Sequence, residues 1–182
     1  MKIGIFGGTF NPPHVGHLIV IESVRDQERF DIVVFVPSAS PPNKQVGVHD
    51  GTLAPAADRL KMAQLAVQGN PFFEVSDLEI RRAGPSFMID TVDALAALHP
   101  EASLSLVIGS DNMLEFHTWK SPRDILAKAG LVVMSRPGFD LRLAQPEYAR
   151  LAKVMNVPQV GVSGTDIRRR VKLGRSIRYL VP

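Results

Sequence analysis

Residues 7–17, Gly-Gly-Thr-Phe-Asn-Pro-Pro-His-Val-Gly-His, leave the start of this chain few options. They follow the apolar run Ile3-Gly4-Ile5-Phe6, which reads as a buried strand. They lead straight into Leu18-Ile19-Val20-Ile21, which reads as the first turns of a helix. Two adjacent glycines, Gly7 and Gly8, permit a sharp turn and let a ligand approach bare backbone. The helix behind them offers unpaired N–H groups and the positive end of its dipole, which together suit an anion. His14 and His17 are three residues apart, so on a helix they share one face. The pattern points to a phosphate-handling site; the plainer alternative is that the two imidazoles cap or pack at a helix start.

Further along, residues 32–37 read as a second buried strand ended by proline, and residues 38–53, rich in Pro, Gly and Asn, as a long loop. Leu60, Ala63, Ala66 and Val67 recur at helical spacing, with Gly69-Asn70-Pro71 as the stop. Residues 73–76 read as a third strand, 86–98 as a helix, and 104–108 as a fourth strand ending in Gly109-Ser110-Asp111. Ser121-Pro122-Arg123-Asp124 reads as a capping-box start with proline at the first helical position. Residues 131–134 predict a fifth strand, 159–162 a short sixth, and the segment from Ser163 to Gly174 a last helix.

Strands alternating with helices imply right-handed crossovers in an α/β fold: a single doubly wound, mostly parallel sheet with helices on both faces, and one domain over residues 1–182. Ligands bind such sheets beyond the carboxyl ends of the strands. Gly7-Gly8, the loop after residue 38, Gly109-Ser110-Asp111 and Ser163-Gly164-Thr165 are all expected there, facing one crevice.

Composition removes several function classes. There is no cysteine, hence no disulfide framework, thiol nucleophile or cysteine-based zinc site. No apolar run approaches the ~20 residues that span a bilayer, and the first residues read as a strand and not as an apolar leader. A cytoplasmic protein without a membrane partner is the expectation. The net charge of +3 suits an anionic partner. Arg168, Arg169, Arg170, Lys172, Arg175 and Arg178 could suggest a nucleic-acid patch. Apart from Tyr179 they lack interleaved aromatics, and they spread round the helix, so a solvated face with one phosphate-binding arginine is preferred, and no nucleic-acid partner is expected. Neither the G-x-x-x-x-G-K-[ST] loop nor the G-x-G-x-x-G fingerprint is present. His14 and His17 lack the spacing and further ligands of a zinc site, so no protein-held metal is expected.

The segment 7–17 closely resembles the signature of bacterial nicotinate-nucleotide adenylyltransferases, within the H-x-G-H nucleotidyltransferase superfamily. The resemblance continues at Pro37-Ser38, Pro42-Asn43-Lys44, Asp77-Leu78-Glu79, Arg82-Ala83-Gly84-Pro85-Ser86 and Asp90-Thr91. It goes on at Ile108-Gly109-Ser110-Asp111, Trp119-Lys120, Arg136-Pro137-Gly138 and Ser163-Gly164-Thr165-Asp166-Ile167-Arg168, in order along nearly the whole chain. It implies a Rossmann-like nucleotidyltransferase fold. The implied reaction joins the phosphate of nicotinate mononucleotide to the α-phosphorus of ATP, releasing pyrophosphate and giving deamido-NAD in NAD biosynthesis.

By the same resemblance, His14, His17 and Arg168 are the catalytic residues. Gly7, Gly8, Thr9, Phe10, Gly16, Gly109, Asp111, Ser163, Gly164 and Thr165 line the ATP site, Phe10 through its backbone. Lys44, Met88 and Trp119 meet the mononucleotide, the tryptophan by stacking on the pyridine ring. Mg²⁺ is expected as a phosphate-bound ion. For several of these a structural role is the alternative: Asp111 as a helix cap, Lys44 as a solvated lysine, Trp119 as core, Ser163 as a capped helix start. Three positions depart from the family pattern. Met88 stands where a threonine helps hold the nicotinate carboxylate, Asn43 where a histidine is usual, and Gly164 where serine or alanine is commoner. Relatives usually continue beyond the position of Pro182. Nicotinamide mononucleotide or phosphopantetheine as acceptor, and a nucleotide-binding regulator without turnover, are the competing readings. A homo-oligomer is left open.

Overall fold

The computed structural model describes residues 1–40, 53–82, 84–136 and 138–182. Six strands form one sheet: β1 (Lys2–Gly8), β2 (Ile32–Pro37), β3 (Phe73–Val75), β4 (Ser103–Gly109), β5 (Ala129–Met134) and β6 (Ala152–Met155). Their order is β3-β2-β1-β4-β5-β6 and every pair is parallel. The order reverses between β1 and β4, the topological switch point at which such sheets receive ligands. The near-continuous apolar runs of β1, β2, β4 and β5 follow from burial on both faces.

Alternate residues of each strand feed opposite layers. Ile3, Ile5, Val34, Leu106 and Val133 pack on one face with Ile89, Val92 and Leu95 of helix α4 (Met88–Leu98). Phe6, Val33, Phe35, Val107 and Val132 pack on the other with Ile21 and Val24 of helix α1 (Val15–Glu28). The remaining helices are α2 (Ala56–Val67), α3 (Leu78–Arg81), α5 (Ser110–Glu115), α6 (Pro122–Lys128), α7 (Pro146–Ala149) and α8 (Gly164–Lys172).

Three sequence expectations need correction. The sixth strand lies at Ala152–Met155, pairing Met134 with Met155, and residues 159–162 form no strand. An edge strand faces solvent, so β6 carries Lys153, ion-paired to Glu28 at 2.6 Å, and lacks the apolar run by which buried strands are recognised. The β-prone segment 159–162 lies past the sheet edge, where Gln159 donates to the carbonyls of Ser135 (3.3 Å) and Val157 (3.0 Å). Second, Pro122 does open α6, but Ser121 is left-handed (φ 49°) and makes no side-chain cap bond. Third, His14 is the extended N-cap of α1 and not a helical residue.

Candidate active site

The crevice is built at the carboxyl ends of β1 and β4. Past Gly8 the chain bends at Phe10, whose φ is +48°. The Phe10 ring folds back into the core, 5.6 Å from Phe6 and 5.3 Å from His17. A Cβ on Gly8 would come within 2.9 Å of that ring, which accounts for the second glycine. The Phe10 ring is thereby taken up by the core.

His14 and His17 do converge, by a route other than a shared helix face. The backbone N–H of His14 donates to Nδ1 of His17 at 3.1 Å, and the two rings stack at 3.7 Å between centroids. Because Nδ1 of His17 accepts, the neutral ring carries its proton on Nε2. His14 is buried, and that burial, with the charge of Arg136, lowers its pKa to about 4. It is therefore neutral near pH 7. Gly16 is the residue between them because a Cβ there would lie 3.0 Å from Nδ1 of His14.

Helix α8 closes the same site from the other end of the chain. Arg168 donates to the Asn11 carbonyl at 2.7 Å and to Oγ1 of Thr165 at 3.2 Å. Ser163 caps the helix by accepting from the backbone N–H of Asp166 at 3.2 Å, so the capping role is observed and leaves the hydroxyl proton for another acceptor. A Cβ on Gly164 would lie 3.0 Å from the Asn11 carbonyl, so this departure from the family pattern fits the close packing of α8 on the loop. Arg169 and Arg170 are paired with Asp166 at 2.5 and 2.9 Å, which leaves Arg168 as the one of the three turned to the loop.

On the β4 side, Ser110 donates to the Met134 carbonyl (3.0 Å) and accepts from the Arg136 N–H (3.1 Å), tying the β4 and β5 ends together. Gly109 leaves the room that Oδ1 of Asp111 fills, and Arg136 lies 3.6 Å from that oxygen. Met88 lies over Gly7, where a Cβ would meet its methyl at 2.7 Å. Trp119 packs partly buried against Phe116 at 5.2 Å between centroids, so its packing role is also observed. The neighbouring Lys120 pairs with Asp90 of α4 at 3.4 Å and lies over the Phe87 ring, which brings this segment to the start of α4 beside Met88. Lys44 lies outside the described residues.

Among the described residues, three buried polar atoms without a hydrogen-bond partner border this crevice: His14 Nδ1, Ser38 Oγ and Asp111 Oδ1. They lie just past the ends of β1, β2 and β4. Among the described residues, no three His, Asp or Glu side chains converge as metal ligands, and no helix is long and apolar enough to cross a membrane. Sequence reasoning missed Arg136 and Arg59 as site-building residues. The first was visible only as part of Arg-Pro-Gly, and the second as one polar residue in an ordinary amphipathic helix.

A parallel sheet with paired imidazoles and a helix N-terminus gathered near its switch point is the pattern of a nucleotidyltransferase, and the chain belongs to the cytidylyltransferase-like family, which matches residues 5–170. A Salinibacter ruber protein described as a probable nicotinate-nucleotide adenylyltransferase is 41% identical over all of this chain and 91% of its own length. A Desulfitobacterium hafniense protein of the same description is 42% identical over all of this chain and 89% of its own. The fold is shared with the Plasmodium falciparum nicotinic acid mononucleotide adenylyltransferase complexed with NaAD. That likeness has a TM-score of 0.75 at 17% identity, over 97% of this chain and 86% of that one.

Proposed function

We propose that the protein transfers the adenylyl group of ATP to nicotinate mononucleotide. A phosphate oxygen of the mononucleotide attacks the α-phosphorus. The new P–O–P bond forms as the bond to the β-phosphate bridging oxygen breaks, and pyrophosphate departs with that electron pair. The product is deamido-NAD, an intermediate of NAD biosynthesis. Because the nucleophile is already an anion, no general base is required, and rate comes from alignment and charge neutralisation.

One observation carries this reading: the His14–His17 stack, fixed by its own backbone, follows the loop after β1 whose Asn11 carbonyl binds Arg168 of α8. His17 would offer its Nε2 proton, and neutral His14 a second N–H, to the phosphate oxygens that gain charge. Arg168 and the first N–H groups of α8 would hold the β- and γ-phosphates, with Ser163 and Thr165 adding hydroxyls. Gly7, Gly8, Thr9, the Phe10 backbone, Gly16, Gly109, Asp111 and Gly164 would line the ATP site. Lys44, Met88 and Trp119 would face the mononucleotide. Mg²⁺ would arrive on the triphosphate, held through phosphate oxygens and water, and would neutralise charge there. The described residues fit such an ion, since the one carboxylate at the β4 end, Asp111, is beside Arg136.

Nicotinamide mononucleotide is the second reading, favoured by Met88, whose side chain has no donor for a carboxylate. Steady-state pyrophosphate release from ATP with each mononucleotide separates the two. A higher kcat/KM for the acid supports the first, a higher value for the amide supports the second, and no release with either refutes both.

A further inference from the structure

Among the described residues, two buried charged side chains, Arg59 and Glu79, lie outside the phosphate-facing set. Arg59 of α2 is 0% exposed and its guanidinium spans three chain segments. It donates to the carbonyls of Thr9 (2.8 Å), Ala39 (3.2 Å) and Ala54 (2.9 Å). No carboxylate pairs with it among the described residues. Burying a guanidinium without a carboxylate partner among the described residues is expensive, and what it holds in return is these three carbonyls.

Glu79 of α3 is 3% exposed, accepts from Oγ1 of Thr91 at 2.7 Å and has the Ser86 side chain beside it. Oγ of Ser86 accepts from the backbone N–H groups of Ala39 (3.1 Å) and Ser40 (3.3 Å), and the Ser86 N–H donates to the Ser40 carbonyl at 3.0 Å. A hydroxyl that accepts twice has only its own proton left to give, and the Glu79 carboxylate is the neighbouring acceptor that would receive it. All four main-chain polar groups of Ala39 and Ser40 are thus held, three through Ser86 and one through Arg59.

We propose that Arg59 and Glu79 are positioning residues, the two ends of one clamp on the Ala39 and Ser40 backbone. The clamp keeps Thr9, on the ATP side, in fixed register with Ser86 and Met88, on the mononucleotide side. Neither residue touches substrate. They act on turnover by setting the line along which the incoming phosphate meets the α-phosphorus. The inference rests on the transfer reaction proposed above.

Arg59→Lys keeps the charge but replaces the fork with a point donor, and Glu79→Gln keeps the shape but turns a donor toward Ser86. Each should lower kcat about tenfold or more, the scale of misalignment, with little change in either KM. The double variant should fall no further than the worse single, because both act on the backbone of the same two residues, Ala39 and Ser40. Losses that multiply, or full kcat in both single variants with only a lower Tm, would overturn the clamp. Ser86→Ala removes one hydroxyl and serves if either buried variant fails to fold; full kcat there also overturns it. Should the unaltered protein release no pyrophosphate with any mononucleotide, the transfer reading falls. Hydrogen exchange then decides the clamp: slow Ala39 and Ser40 amides that become fast in Ser86→Ala support it, and unchanged exchange refutes it.

Discussion

The backbone N–H of His14 donates to Nδ1 of His17, and this single 3.1 Å bond aligns two rings stacked 3.7 Å apart. It makes the cap of a helix and the donor end of the candidate site one object. His17→Ala should therefore reduce kcat by about 10²–10³, the usual effect of deleting one preorganised donor, while circular dichroism and Tm stay near those of the parent. Pyrophosphate release at saturating substrates is the measurement. Unchanged kcat would remove His17 from the chemistry.

His14 gives a pH dependence of defined sign. Its folded pKa is about 4, against 6.5 for an exposed imidazole, because of burial first and Arg136 second. Between those values the unfolded chain holds a proton that the folded chain does not. Folding stability should thus fall as pH drops from 6.5 toward 4, by about 3 kcal/mol over the whole window, and be independent of His14 above it. The check is Tm against pH for the parent and for His14→Asn. The difference between the curves should grow only below pH 6.5.

Gly164→Ala places a methyl 3.0 Å from the Asn11 carbonyl and 3.3 Å from Nη1 of Arg168. Helix α8 must then back away from the loop, and Arg168 with it. A KM for ATP raised about fivefold to tenfold is expected, roughly 1 kcal/mol of binding, with KM for the mononucleotide little changed.

Met88 covers Gly7 with a methyl group and offers no donor. Met88→Thr supplies a hydroxyl at the start of α4. The ratio of kcat/KM for nicotinate to nicotinamide mononucleotide should rise about tenfold, the scale of one added hydrogen bond to a charged group. A constant ratio would move acid recognition away from residue 88.

Trp119 is half committed to the core through Phe116 and leaves part of its ring exposed. Trp119→Ala should raise the mononucleotide KM about tenfold, with a smaller loss of Tm. An unaltered KM with a lower Tm would make it a packing residue alone.

Much of this architecture was legible because buried parallel strands announce themselves. The runs at 3–6, 32–37, 104–108 and 131–134 all became inner strands. The reason for the paired glycines was not legible: they read as a turn, but they end strand β1, the bend falls at Phe10, and each answers to a side chain that a Cβ would strike. Nor was edge strand β6, since an exposed strand with a lysine has no apolar signature. The two histidines come together as expected but for another geometric reason, because three-residue spacing serves a capping arrangement as well as a helix face. Arg59 could not be found from sequence at all, because a buried arginine and a solvated one look alike in an amphipathic repeat. What distinguishes Arg59 is three carbonyls from three segments, which only the folded chain brings together.

The separation of 157 residues between Arg168 and the Asn11 carbonyl it binds sets an order of assembly. Synthesis runs from the N-terminus, so β1 emerges first yet is an inner strand, lacking its second neighbour until β4 follows. The imidazoles are in place early; the guanidinium comes last. A nascent polypeptide with its sheet complete still lacks the arginine proposed above to hold the triphosphate tail, so on that proposal turnover waits for the final helix.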